Sequence, residues 1–336
     1  RSIQAAADEV ASSRDLIAES TEEIEQASQQ VAGSVEEISH GADTQSENLG
    51  QVAGEMNDVS ATIEEIASSA DEVTSTAETA VEQCLDLSPG EAAVVVTDDQ
   101  REPIGEALYE AARAVTADAT ILRYPPADQH GTEPPAPVAA AMEASDAFLA
   151  PTTKSLSHTR ARGRACDAGA RGATLPGITE SVFTTGLDAD YSAIDDACND
   201  ALAAVGDADA VRVTSPAGTD VTFELGDREW FADTGMVHAP GDFSNLPAGE
   251  VFIAPESATG TYVVDGTMMP HGLLGEGEEL AFEVDDGLVT SVSDEAVREE
   301  LATAAESVGD AAYNLAELGI GTNAGVEELV GSVLLD

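Results

Sequence analysis

Two carboxylates in this sequence stand where a carboxylate can do chemistry. Glu250 closes the turn Asn245-Leu-Pro-Ala-Gly-Glu250 and opens the apolar run Val251 to Ala254, with Pro247 and Gly249 shaping the approach. Glu317 ends Asn314-Leu-Ala-Glu317, just ahead of a glycine-rich turn that runs to Asn323. A carboxylate held between a stiff turn and a buried strand can offer oxygen ligands to a metal ion from a fixed position. The plainer alternative is a surface carboxylate at the end of an element, one more member of an acidic coat. A second cluster is cationic. Lys154, Arg160, Arg162, Arg164 and Arg171 place five of the chain's 13 cations within 18 residues, together with His158. They follow an expected strand end, where open α/β sheets bind ligands, so Lys154, His158 and Arg160 are candidates for holding a substrate carboxylate. The competing reading is a basic helix face paired with its acidic surroundings.

The elements that must position these residues are legible as periodicities. Ala92–Val96, Thr120–Arg123, Ala147–Ala150 and Ala173–Leu175 read as short strands, and they alternate with helical patterns over Pro103–Val115, Ala136–Ser145 and Thr159–Ala168. That alternation predicts a parallel sheet covered on both faces. From Val211 onward the pattern changes to half-buried strands. These are Val211–Thr214, Thr219–Leu225, Phe252–Ala254, Thr261–Val264 and Leu280–Val284, with Asp285-Asp-Gly287 a hairpin signal into Leu288–Val292 and a helix over Asp294–Val308. No glycine-rich phosphate loop follows the first strand, which leaves a dinucleotide or ATP role without support. The Pro-rich loop 125–137 reads as an insertion or a lid.

Residues 1–84 are of another kind. Ile3, Val10, Ile17, Ile24, Val31 and Ile38 fall seven apart, and after Gln45 the row resumes at Val52, Val59, Ile66 and Val73. A second row four residues on includes Ala7, Val35, Leu49, Met56 and Ile63. Alternating steps of four and three make a coiled-coil seam. With no proline and no aromatic residue, the stretch cannot build a core alone and calls for a helix partner. The expected architecture is therefore α/β: a coiled-coil helix over 1–84, a parallel α/β domain over 85–210 and a strand-rich α+β domain over 211–336.

Composition bounds the function. The formal charge is −52, from 65 acidic and 13 basic residues, and Lys154 is the single lysine. Such a surplus repels itself in dilute buffer but is screened at molar salt, where the Debye length is about 3 Å. It resembles the composition of cytoplasmic proteins from salt-loving archaea, and it excludes nucleic acid as a partner. Apolar residues at 43% in clear periods rule out a disordered acidic chain. Cys84, Cys166 and Cys198 form no CxxC pair, and no run of 18 apolar residues spans a membrane. The chain opens on Arg1, the expectation for a fragment or a processed piece.

Two family resemblances add to this. Ser60-Ala-Thr-Ile-Glu64-Glu65-Ile-Ala-Ser68-Ser69, with Glu36-Glu37 as a weaker copy, resembles the methylation segments of methyl-accepting chemotaxis transducers. The resemblance covers the first quarter of the chain and lacks the hairpin tip and the returning helix. It implies Glu64 and Glu65 as methylation candidates, against the reading of a solvated helix face. It also offers one alternative function, a transducer fragment carrying the α/β body as sensor or passenger. Residues 78–336 resemble the M29 metalloaminopeptidases through Leu85–Glu91, Ser155–Thr159, Leu175–Ile178, Ser215–Asp220, Asn245–Pro255 and Asn314–Asn323. That resemblance implies Glu250 and Glu317 as metal ligands, two divalent ions such as cobalt or zinc, a peptide substrate and a homodimer. The family's further histidine and aspartate ligands would lie beyond Asp336, so catalytic residues stay unknown and a crippled aminopeptidase is expected. Related metal sites also serve ring-cleaving dioxygenases, which is a third reading.

Overall fold

A computed structural model describes residues 2–326, 329 and 331. The expected incompleteness at Leu334–Asp336 lies outside the described residues. The chain divides into two compact units, Arg1–Ser69 and Ala70–Asp336.

The described residues of the first unit, 2–69, are all helix, part of α1 (Ser2–Thr79). Nothing in it interrupts a helix, and the heptad row stands in solvent: Ile3 is 85% exposed and Ile38 71% exposed. The last turns of α1 belong to the second unit. There Ala77 is buried, as are Ala80, Val81 and Cys84 in a short π-helical tail, and all four pack into the main core.

That core is organised by a five-stranded parallel sheet. The strands and helices run β1 (Ala93–Asp98), α2 (Glu102–Val115), β2 (Ala119–Tyr124), α3 (Ala136–Ala144), β3 (Ala147–Thr152), α4 (Arg160–Asp167) and β4 (Arg171–Pro176). β1, β3 and β4 are buried at every position, as strands in a doubly covered sheet must be. Side-chain alternation divides the two faces. Val95, Leu149, Ala173 and Leu175 meet α2 on one side, while Val94, Val96, Phe148 and Ala150 meet α3 and α4 on the other.

Two helices not legible in the sequence, α5 (Glu180–Leu187) and α6 (Tyr191–Val205), complete the first layer; Phe183 and Tyr191 are fully buried. Each is N-capped by a side chain, Thr179 for α5 and Asp190 for α6. The chain then forms β5 (Ala210–Thr214), β6 (Asp220–Glu224), β7 (Phe231–Asp233) and β8 (Phe243–Asn245). Strand β8 pairs parallel with β4, so the order is β2-β1-β3-β4-β8, and residues from the 211–336 segment share one compact unit with the 85–210 segment.

Next come β9 (Glu250–Ile253), β10 (Ser257–Val264), β11 (Thr267–Met268), β12 (Gly272–Leu273), β13 (Leu280–Asp285), β14 (Leu288–Val292), α7 (Glu295–Val308) and β15 (Leu318–Gly321). An antiparallel sheet of order β14-β13-β10-β6-β5 carries the expected hairpin, whose turn places Asp286 and Gly287 at positive φ. A smaller antiparallel sheet, β15-β9-β7, has Glu250 as the first residue of its central strand, and Glu317 stands one residue before β15. The glycine-rich segment after Glu317 is thus a strand rather than the expected turn. Its glycines weaken its propensity, and one of them, Gly319, is closely approached by the Glu250 side chain.

Candidate functional site

Glu250 is the first residue of the central strand β9, opposite Asp233 of β7 on one side and Gly321 of β15 on the other. Two glycines make its position possible. Gly249 has φ +129°, and a Cβ there would come within 2.7 Å of the Asn323 side chain. Asn323 in turn donates from Nδ2 to the carbonyls of Gly186 and Ala248, each at 2.9 Å, and so clamps the Pro247–Gly249 turn. A Cβ on Gly319 would lie 3.1 Å from Oε2 of Glu250. The carboxylate therefore lies close over β15 at Gly319, where a side chain would press on it, and it comes within electrostatic reach of Glu317.

The electrostatics are unfavourable to charge. Burial pushes the Glu250 carboxyl up, and the charges of Glu317 and Asp233 push it further. Asp233 is also raised by burial, against the hydroxyl of Ser244 donating at 2.6 Å and the Gly235 N–H at 3.3 Å. Glu250 thus stands within reach of two other carboxylates, each of which disfavours its ionised form. Sequence reasoning missed Asp233, because a three-residue strand carries no periodicity.

The histidines are committed elsewhere. The Ser155 N–H donates to Nδ1 of His130, Nε2 of His238 meets the Gln83 carbonyl at 2.8 Å, and Nε2 of His271 pairs with Asp294 at 2.9 Å. His40 and His158 are exposed. Among the described residues no three His, Cys, Asp or Glu side chains form a group able to hold a metal ion. Glu250 and Glu317 are linked electrostatically, with Glu317 raising the Glu250 carboxyl. For the two cobalt or zinc ions implied by the M29 resemblance, the described residues lack imidazole ligands.

The basic cluster is dispersed by the fold. Arg160 pairs with Glu133, Arg164 with Glu143 and Arg171 with Glu91, while Arg162 stacks over the Phe243 ring at 4.4 Å. Lys154, half-buried just past β3, has no ion-pair partner among the described residues. Nearby, at the C-terminal ends of β4 and β8, the hydroxyls of Ser157 and Thr174 each donate to Oδ1 of Asn245 at 2.7 Å. At the ends of β1 and β3, buried Asp98 accepts from the N–H and the hydroxyl of Thr153. These polar contacts fix the carboxyl edge of the sheet, the usual ligand edge of an open α/β fold. A groove of about 750 Å³ lies instead between β14 and α7, lined by Thr290, Glu295, Arg298 and Tyr313 and by neither candidate glutamate.

Residues 72–327 match the family model described as NicX: 2,5-dihydroxypyridine 5,6-dioxygenase. Among solved structures, the 2,5-dihydroxypyridine dioxygenase of Pseudomonas putida KT2440 is similar at a TM-score of 0.61 and 19% identity, over 75% of this chain and 76% of that one. Wild-type AmpT from Thermus thermophilus is similar at a TM-score of 0.55 and 19% identity, over 79% of this chain and 83% of that one. At this identity both likenesses show the fold alone, and the second supports the M29 resemblance at that level. No curated protein sequence matches the chain. No helix among the described residues is long and apolar enough to cross a membrane.

Proposed function

Because the chain belongs to the 2,5-dihydroxypyridine 5,6-dioxygenase family, we propose that its Ala70–Asp336 unit is a ring-opening dioxygenase acting on a hydroxylated nitrogen heteroaromatic. The observation that carries this reading is the extent of the family match, 72–327, which spans nearly all of that unit. Peptide hydrolysis, the leading expectation from the sequence, keeps the support of the fold likeness to AmpT and moves to second place.

Both reactions call for a divalent metal, and the two separate on what the metal must do. Ring opening adds both atoms of dioxygen to an electron-rich ring and needs a redox-active ion such as ferrous iron. Peptide hydrolysis needs only a Lewis acid and an activated water. The contribution proposed for Glu250 and Glu317 is the same in both: to offer carboxylate oxygens to the cation and let its charge relieve their mutual repulsion.

Full-length chain loaded anaerobically with ferrous iron, at low and at molar salt, should consume dioxygen when given 2,5-dihydroxypyridine, with loss of the ring's near-ultraviolet absorbance. Silence in that assay, together with cobalt- or zinc-dependent release of leucine from a leucyl anilide, would instead establish the peptidase reading. Silence in both would remove the two readings together.

A further inference from the structure

We infer that the Arg1–Ser69 helix is a self-association element, and that its seam is covered by further copies of the same helix, parallel and in register. This rests on the seam itself and is independent of the proposed catalytic function.

The surface is large and unsatisfied. Along the seam Ile17, Ile24, Val52, Val59, Ile63 and Ile66 are each 52–66% exposed. Covering the full row would bury on the order of 1,000 Å² per helix, against the roughly 800 Å² per partner of a standard specific interface. A helix with this composition gains little from propensity and depends on having its apolar stripe packed.

The row pattern selects the occupant. With the Ile3, Val10, Ile17 row at heptad position d, position a reads Ala7, Arg14, Thr21, Ser28 and Val35 in the N-terminal half and Ala42, Leu49, Met56 and Ile63 in the C-terminal half, so the polar layers cluster at Arg14–Ser28. An antiparallel copy would lay Arg14 and Thr21 against the Met56 and Leu49 layers and set polar side chains against apolar ones. A parallel copy in register stacks polar on polar and apolar on apolar. Gln45, the one polar residue in the d row, then meets its own copy, where paired amides fix register. Arg14 has a long stem, so its guanidinium can lean out toward the acidic rows.

The flanks agree. Positions beside the seam are mostly small, with Ala11, Ala18, Ala32 and Ala53 at e and Ser13, Ser20, Ala27 and Ser34 at g, and the charges there are Glu25 at e and Glu55 at g. The small residues let backbones approach closely, and two charges in so long a seam offer little opposition to a third or fourth helix. The acidic pairs Asp8-Glu9, Glu22-Glu23, Glu36-Glu37 and Glu64-Glu65 all fall at b and c, clear of the contact. Branched residues at d opposite Leu, Met or Ile at a favour more than two strands. The acidic flanks repel one another, so assembly should tighten with added salt.

Cysteine crosslinking of the full chain tests this. Ile17→Cys and Ile66→Cys place thiols at two widely separated d positions, and Glu19→Cys and Ser68→Cys place them on the outer face. Under mild oxidation at molar salt and micromolar chain, each seam variant alone should form covalent dimer about tenfold faster than the outer-face variants, because a bundle raises the local thiol concentration. The unsubstituted chain is the blank, since Cys84 and Cys198 are buried and Cys166 half-buried. Crosslinks no faster at the seam than outside would overturn the inference. So would crosslinks that form only when Ile17→Cys is mixed with Val52→Cys, the signature of antiparallel pairing.

Discussion

Arg171→Ala should lower folding stability by about 3–5 kcal/mol, the usual effect of removing one partner from a buried ion pair. Arg171 is only 6% exposed. Its Nε donates to the Leu85 carbonyl at 2.8 Å and its Nη2 to the Asp86 carbonyl at 3.0 Å, while the fork grips both oxygens of Glu91 at 2.8 and 2.7 Å. One guanidinium therefore ties the start of β4 to the whole loop that leaves the first helix. Truncation leaves a part-buried carboxylate and two carbonyls unpaired at once. Arg171→Lys should recover less than half of the loss, because an ammonium cannot reproduce the bidentate grip. Arg171→Met with Glu91→Leu should recover more, by leaving no orphan. The acid limb gives a second signature. Arg171 holds the Glu91 carboxyl below its ordinary value. Such a group stabilises the fold at pH above its unfolded value, and the contribution is lost as pH falls through the folded one. The gap between parent and Arg171→Ala should therefore narrow on acidification. Urea unfolding across pH measures both effects; a loss below about 1 kcal/mol, the range of an exposed pair, would show the network to be dispensable.

The same residue shows what the sequence could and could not convey. Five cations crowded into 18 residues looked like one patch. Strand and helix geometry sends their side chains to different faces, and the acids that meet them, Glu91, Glu133 and Glu143, are distant in sequence from some partners and unmarked by any motif. Nearness along the chain is a poor guide to a surface. Where burial writes a pattern, the sequence reads well: β1, β3 and β4 are buried on both faces and show as short apolar stretches, Val94–Val96, Ala147–Ala150 and Ala173–Leu175, the last interrupted by Thr174. Helices α5 and α6 were illegible because Gly186 and the acidic residues of 195–200 dilute their apolar faces. Glu250 and Glu317 could be singled out individually by their turns. Their approach depends on the pairing of β9 with β15, and Asp233 joins them through a strand of only three residues. Reaction type was the least legible feature, because one fold carries both candidate chemistries and the choice lies in the metal and its ligands.

That choice makes Glu250→Gln informative, since it should stabilise the protein while removing its response to a cation. Burial is the main reason the Glu250 carboxyl titrates high, with Glu317 and Asp233 adding to it. A carboxyl raised in the folded state favours folding when protonated and opposes it once ionised. Stability should therefore decline as pH climbs from the unfolded value through the folded one. Glutamine keeps the shape and removes the charge. The variant should gain about 0.5–1 kcal/mol at neutral pH, a figure reduced for the site's partial exposure, and the gain should vanish in acid. The reverse holds with metal present. A cation bound by the native fold stabilises it by mass action, about 2.7 kcal/mol at a hundred times the dissociation constant. Manganese, an oxygen-tolerant stand-in for ferrous iron, should raise the melting temperature of the parent chain and leave Glu250→Gln unmoved. Glu317→Gln should behave in the same way, and the double variant should add little, because the two carboxylates serve one ion. If Glu250→Gln answers manganese as the parent does, the cation sits elsewhere and Glu250 is only a strained strand end.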